Sequence, residues 1–119
     1  MRTLVVKITC GTDDPERCNQ GFTVAAAALA AGATVSLWLT GEAAWFGTPD
    51  RAEAFDLPGG VPLAQLRDAV LAAGTVTICS QCAARRRITA ADLLPGVHIA
   101  GAASFVEEVL AEDAQALVY

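Results

Sequence analysis

Five short runs rich in β-branched and apolar residues recur along the 119-residue chain, each separated from the next by a segment with helical character. That alternation constrains the fold more than any other feature. Thr3–Thr9 (TLVVKIT), Thr34–Leu39 (TVSLWL), Thr75–Cys79 (TVTIC), Val97–Ala100 (VHIA) and Gln115–Tyr119 (QALVY) read as strands. The first is an almost unbroken β-branched run, which suits a strand buried on both faces. Regular β/α alternation predicts an α/β protein, a parallel sheet flanked by helices on both faces in a flavodoxin-like three-layer plan. Right-handed crossovers fix its hand. In such sheets ligands bind at the carboxyl ends of the strands, near the point where the strand order reverses.

The helices announce themselves by caps and spacing. Asp14 is a natural N-cap, Pro15 fits the first helical position, and Glu16 suits the positive helix end. Cys18, Phe22, Ala25 and Leu29 then recur at helical spacing until Gly32. Residues 41–60 are the least regular part, with a short helix expected around Glu42–Phe46; a long connection after a strand is more often functional than a tight turn. Pro62 opens a helix carrying Leu63, Leu66, Val70 and Ala73, closed by Gly74. Short helical segments follow over Gln81–Arg87 and, as a capped turn, Thr89–Asp92. The last helix is expected over Ala102–Glu112. A hydrophobic content of 54% rules out disorder, and the length suits one domain over residues 1–119. The 25 alanines favour helices packed close to the sheet.

Thirteen acidic against eight basic residues give a net charge of −5, which argues against a nucleic-acid partner and against an anionic membrane surface. The one concentration of positive charge is Arg85-Arg86-Arg87. No run approaches the ~18 apolar residues of a membrane span. The opening MRTLVVKITCG is interrupted by Lys7 and does not read as a secretory signal. The expectation is therefore a cytoplasmic protein, in which four cysteines are reduced, metal-binding or catalytic rather than disulfide-forming.

Cys10 falls just past the first strand and Cys79 at the end of the third, both at the carboxyl edge. A flavodoxin-like order makes those strands neighbours, so that Cys18 and Cys82 could converge on the same edge. The sharpest local feature is TICSQCAARRRI, residues 77–88. A thiol at a strand-to-helix turn meets free backbone N–H groups, which favour thiolate, and Arg85 and Arg86 add positive charge nearby. A thiolate is the nucleophile for sulfur transfer, disulfide exchange or peroxide attack. The arginines could hold the thiolate, an anionic product or a partner's acidic face. The plain alternative is a buried cysteine pair beside solvated arginines.

Other constellations fit less well. Cys79-x-x-Cys82 suggests a dithiol, but a thioredoxin-like fold places its motif after an early strand. Cys79 to Arg85 has the spacing of a phosphatase loop, but SQCAA lacks the glycines that loop needs. One C-x-x-C unit, with Cys10 and Cys18 eight residues apart, does not make a zinc or iron–sulfur site, so no metal and no cofactor is expected. His98, in mid-strand, reads as a packed or edge residue. Capping explains Asp14 better than acid–base chemistry does. Trp38, Trp45 and Phe46 read as core or oligomer contacts rather than as the lining of a pocket at the long loop; with Phe55 they fall in or beside the irregular segment, where subunit contacts can form.

The order of these pieces resembles the DsrE/DsrF-like family, which includes sulfur-relay subunits of the TusD type. The resemblance rests on VVKITCGTDDPERC, VSLWLTGEAAW, LAQLRDAVLAAGTVTICSQC and GAASFVEEVLAEDAQALVY, and covers nearly the whole chain. It implies that Cys79 stands in the place of the persulfide-carrying cysteine, six residues before Arg85. Cys82 would be a resolving or supporting thiol, with Arg85, Arg86 and Cys10 around it. It also implies sulfur donor and acceptor proteins as partners and a homo-oligomer, a trimer or hexamer. Two departures stand out: Arg87 where the family usually has Gly, and Cys82, which many relay subunits lack. Two rival readings remain, a thiol–disulfide redox protein using Cys79 and Cys82, and a non-catalytic assembly module with structural cysteines.

Overall fold

The five strand runs join into one sheet in the computed structural model, which describes residues 2–119. β1 (Thr3–Ile8), β2 (Thr34–Leu39), β3 (Thr75–Cys79), β4 (Val97–Ala100) and β5 (Ala114–Val118) are all parallel, in the order β4-β3-β2-β1-β5. α1 (Pro15–Ala30) links β1 to β2, and α2 (Arg51–Ala54) and α3 (Leu63–Ala73) lie between β2 and β3. α4 (Ser80–Arg85) precedes β4 and α5 (Ala102–Val109) precedes β5. Two 3-10 turns, Gly41–Gly47 and Ala90–Asp92, complete the path.

This order follows from handedness. The first three crossovers each step one strand in the same direction, and a right-handed return puts their helices on one face. The last crossover runs back across the whole sheet, so α5 lands on the opposite face. The expected parallel sheet with helices on both faces is what forms. The expected adjacency of strands one and three is not: β2 lies between them, because the order reverses only at the last crossover. At about 4.8 Å per strand, β1 and β3 stand roughly 10 Å apart.

The first face holds the core. Val6 lies beside Leu37, Leu37 beside Val76, and Val76 beside Val97, all buried. Phe22 and Ala25 of α1 and Leu63 and Val70 of α3 belong to the same cluster. Gly21 permits the close approach of α1: a Cβ there would meet the Ile8 side chain at 2.8 Å. Phe22 packs edge-on to Phe46 with ring centres 6.0 Å apart, and Phe46 to Phe55 at 5.5 Å. Arg67, only 2% exposed, ties α3 to α2 by a paired contact with Glu53, Nη2 to Oε2 at 2.7 Å.

Local signals hold at most helix ends. Asp14 Oδ1 accepts from Arg17 N at 3.5 Å, and Thr89 and Asp92 form a reciprocal capping box. The Glu42–Phe46 segment is helical but of the tighter 3-10 kind. α4 is shorter than the expected Gln81–Arg87, since Arg87 turns to a left-handed φ of 56°. α5 stops at Val109 rather than Glu112, because the chain must turn before entering β5. The aromatic segment packs inward, as the core reading of it expects: Trp38 and Phe46 are each 2% exposed, and Trp45 and Phe55 are half-buried. Among the described residues, the exposed large apolar side chains are Val106 and Leu110 around α5, Leu117 and Val118 on β5, and Val61. No helix among the described residues is long and apolar enough to cross a membrane.

Phe22→Ala should lower the unfolding free energy by about 3–5 kcal/mol, the usual cost of a buried aromatic deletion, read as a lower urea midpoint.

Candidate functional site

The second face of the sheet mixes polar with apolar side chains where the first is apolar. Register brings Val118, Lys7, Trp38, Thr77 and His98 into one row across it. α5 is the helix over this face. Its Glu108 Oε1 accepts from Ser36 Oγ and, at 3.2 Å, from Trp38 Nε1. Its Phe105 stands edge-on to Trp38 with ring centres 5.4 Å apart, and Lys7 Nζ lies 5.0 Å from the centre of the same ring. Lys7, Trp38, Thr40, Cys79, Ala102 and Phe105 enclose a cleft of about 50 Å³.

Cys79 is the thiol of that cleft. It ends β3 beside Ala100 of β4, and these two strands are where the topology divides: the chain leaves β3 into α4 toward the core face and leaves β4 into α5 toward the other. The carboxyl-edge switch point predicted from β/α alternation is therefore occupied by a thiol. Half-burial alone would push this thiol up. The backbone N–H groups of Cys82 and Gln81, the Cys82 thiol and the charge of Lys7 together outweigh it, and hold Cys79 below the ordinary thiol value.

Cys82 is buried one turn along α4, its Sγ accepting from Gly41 N at 3.2 Å. Gly41 can come so close only because it is a glycine at φ 54°; a Cβ there would collide with the Thr9 carbonyl. The C-x-x-C pair is thus brought together. Arg86 is engaged elsewhere: its Nε donates to Glu42 Oε2 at 2.9 Å and its Nη1 to the Cys82 carbonyl at 3.2 Å. Arg85 is exposed at the end of α4. The cation that acts on Cys79 is Lys7, which sequence reasoning noted only as a break in an apolar run. The signal was available, since a lysine inside the β-branched run of a central strand must face something that rewards a charge.

Cys10 and Cys18 form a separate pair, buried in the core cluster. Burial, then the nearby Asp14 and Asp13 carboxylates, push Cys10 up; burial, then Cys10 and the same carboxylates, push Cys18 up further. The expected convergence of all four cysteines therefore becomes two pairs, for the reason that β2 intervenes. All four thiols are free. His98 is exposed on the edge strand β4, as its position suggested.

The family model of the DsrE/DsrF-like family matches residues 3–115. Among solved structures, the YchN protein of E. coli superposes with a TM-score of 0.82 at 21% identity, over 100% of both chains. MTH1491 of Methanobacterium thermoautotrophicum, a protein of unknown function, superposes with a TM-score of 0.77 at 12% identity, again over 100% of both. At these identities the likeness is one of fold. No curated protein matches by sequence.

Cys79 should alkylate with iodoacetamide at pH 6.5 faster than a free model thiol, whose pKa is about 8.5, because more of it is thiolate there. Lys7→Met should move the midpoint of its pH–rate curve upward, whereas Arg85→Ala should leave it in place.

Proposed function

The chain belongs to the DsrE/DsrF-like family, and from that membership we propose that it accepts persulfide sulfur on Cys79 and passes it on. The observation that carries this reading is the Cys79 thiol at the switch point, held below its ordinary pKa by two backbone N–H groups, a second thiol and a lysine. In the accepting step the Cys79 thiolate attacks the terminal sulfur of a donor persulfide, R–S–SH. The new bond is Cys79 Sγ to that sulfur, the donor's S–S bond breaks, and R–S⁻ leaves. The product is Cys79–S–SH; no external oxidant or reductant enters and the proton stays on the transferred sulfur. The passing step is the same exchange with an acceptor thiolate.

The 50 Å³ cleft suits a single added atom. It is far smaller than the ~300–1,000 Å³ of usual small-molecule sites. Donor and acceptor must therefore offer their sulfur at the rim, as partner proteins with exposed thiols do. The Gln81 and Cys82 N–H groups that favour the thiolate also favour a persulfide anion. Cys82 supports Cys79 through its S–H.

The same reading includes self-assembly. Val106 and Leu110 around α5, and Val118 of β5 in the row of Lys7, leave apolar side chains exposed on the face that carries the cleft. Closed cyclic association of that surface, as a trimer or hexamer, buries it and leaves no growing filament.

Mass spectrometry of protein exposed to a donor persulfide and kept from reductant should show a gain of about 32 Da, one sulfur, on Cys79, removed by dithiothreitol. Cys79→Ser should abolish the gain. Cys82→Ser should lengthen the life of the loaded form; a loaded form that discharges in wild type to a Cys79–Cys82 disulfide would favour the thiol–disulfide reading instead. Light scattering on a sizing column should return about three or six times the 12.3 kDa chain mass; a 12.3 kDa species at tens of micromolar would exclude self-assembly.

A further inference from the structure

The largest cavity described lies away from Cys79 and shares no residue with its cleft. It measures about 450 Å³, within the usual range for small-molecule sites. Buried Ile88 and half-buried Trp45 and Leu93 contribute its apolar lining, and exposed Arg51 and Arg87 its positive charge. The Arg51 guanidinium stacks on Trp45, 4.0 Å from the ring centre, which fixes its direction. Asp92, the one carboxylate of the lining, is committed to the capping box: its Oδ2 accepts from Thr89 N at 2.8 Å and Thr89 Oγ1 at 3.0 Å.

Two further observations bear on these arginines. Among the described residues, Arg17, Arg67 and Arg86 are paired with carboxylates, whereas Arg51 and Arg87, like Arg2 and Arg85, take part in no salt bridge. The only non-glycine residues with positive φ among those described are Asp50, at 72°, and Arg87, at 56°. One immediately precedes Arg51 and the other is the second arginine. Asp tolerates the left-handed region; Arg has no such ease, and glycine would sit at 87 without strain. Strain kept at a cavity wall points from geometry to use.

We propose that this cavity binds a small organic anion, with a phosphate or carboxylate head between Arg51 and Arg87 and a flat apolar body against Trp45, Ile88 and Leu93. Guanidinium forks match both head groups, and neither arginine has to give up a partner to bind. Such binding is independent of sulfur transfer and is measured without any sulfur chemistry.

The probes are phenyl phosphate, benzoate and inorganic phosphate, titrated into labelled wild-type protein at low salt and followed by NMR. Phenyl phosphate or benzoate should give saturable shifts of the Trp45 indole N–H and the Ile88 and Leu93 amides, at several-fold lower concentration than inorganic phosphate. The tighter of the two names the head group. Arg87→Gly should weaken binding about tenfold, the scale of removing one charge-assisted hydrogen bond, and at the same time raise the melting temperature. Arg51→Ala should weaken binding similarly, and Arg17→Ala, paired with Asp14 on α1, should not. Absence of saturable Trp45 shifts with both organic probes, unchanged binding in Arg87→Gly, or a lower melting temperature in that variant would each overturn the proposal.

Discussion

A parallel sheet holds only if both of its faces are covered, and this chain covers them unequally. Three crossovers step one way and stack their helices over a dry face of Val, Leu and Ile. The single crossover that returns supplies the other face with the eight residues of α5. No side chain of α5 is fully buried, so apolar burial alone does not seat it. The polar contact of Glu108 with Ser36 and Trp38, together with the Phe105 edge contact, holds it in place, and so sets a helix carboxylate over the central strand β2 and an aromatic ring beside Lys7 of β1. The thinness of that cover is also what leaves Cys79 within reach of solvent while Val76 and Ile78, its neighbours on β3, are sealed.

Much of this fold was legible in the sequence because its signals are local. Asp14-Pro15, Gly32, Gly74 and the Thr89–Asp92 box mark element ends by satisfying backbone groups within a few residues. The β-branched runs mark strands in the same way. The strand order was not legible, because the point at which the crossovers reverse is decided by which helix packs where, and a long-range choice leaves no mark at fixed spacing. Whether Cys10 converges on Cys79 depended on that order.

The site was half legible. A thiol at a strand-to-helix turn gains N–H donors wherever the turn occurs, so Cys79 and Cys82 could be found from TICSQC. The electrostatics could not be assigned from proximity in sequence. Arg86 lies four residues from Cys82 and spends its charge on Glu42, while Lys7 lies 72 positions from Cys79 and is the cation that acts on it. Within the short α4 a side chain's direction matters more than its distance along the chain. On a parallel sheet, register brings residues of remote strands into one row.

The free edge of β5 sets a condition on the chain before it meets its copies. The strand pairs with β1 on one side, and Ala114, Ala116, Leu117 and Val118 give it an apolar composition. Such an edge is a template for strand addition without limit. Exposed Glu112 and Asp113 stand at its entrance and act as gatekeepers: two like charges stacked against the same pair of a second chain repel before hydrogen bonds can form. The net charge of −5 extends that repulsion to the whole surface at low salt. Charge is thus the guard this edge carries, and high ionic strength, which screens charge, is the condition under which that guard is weakest.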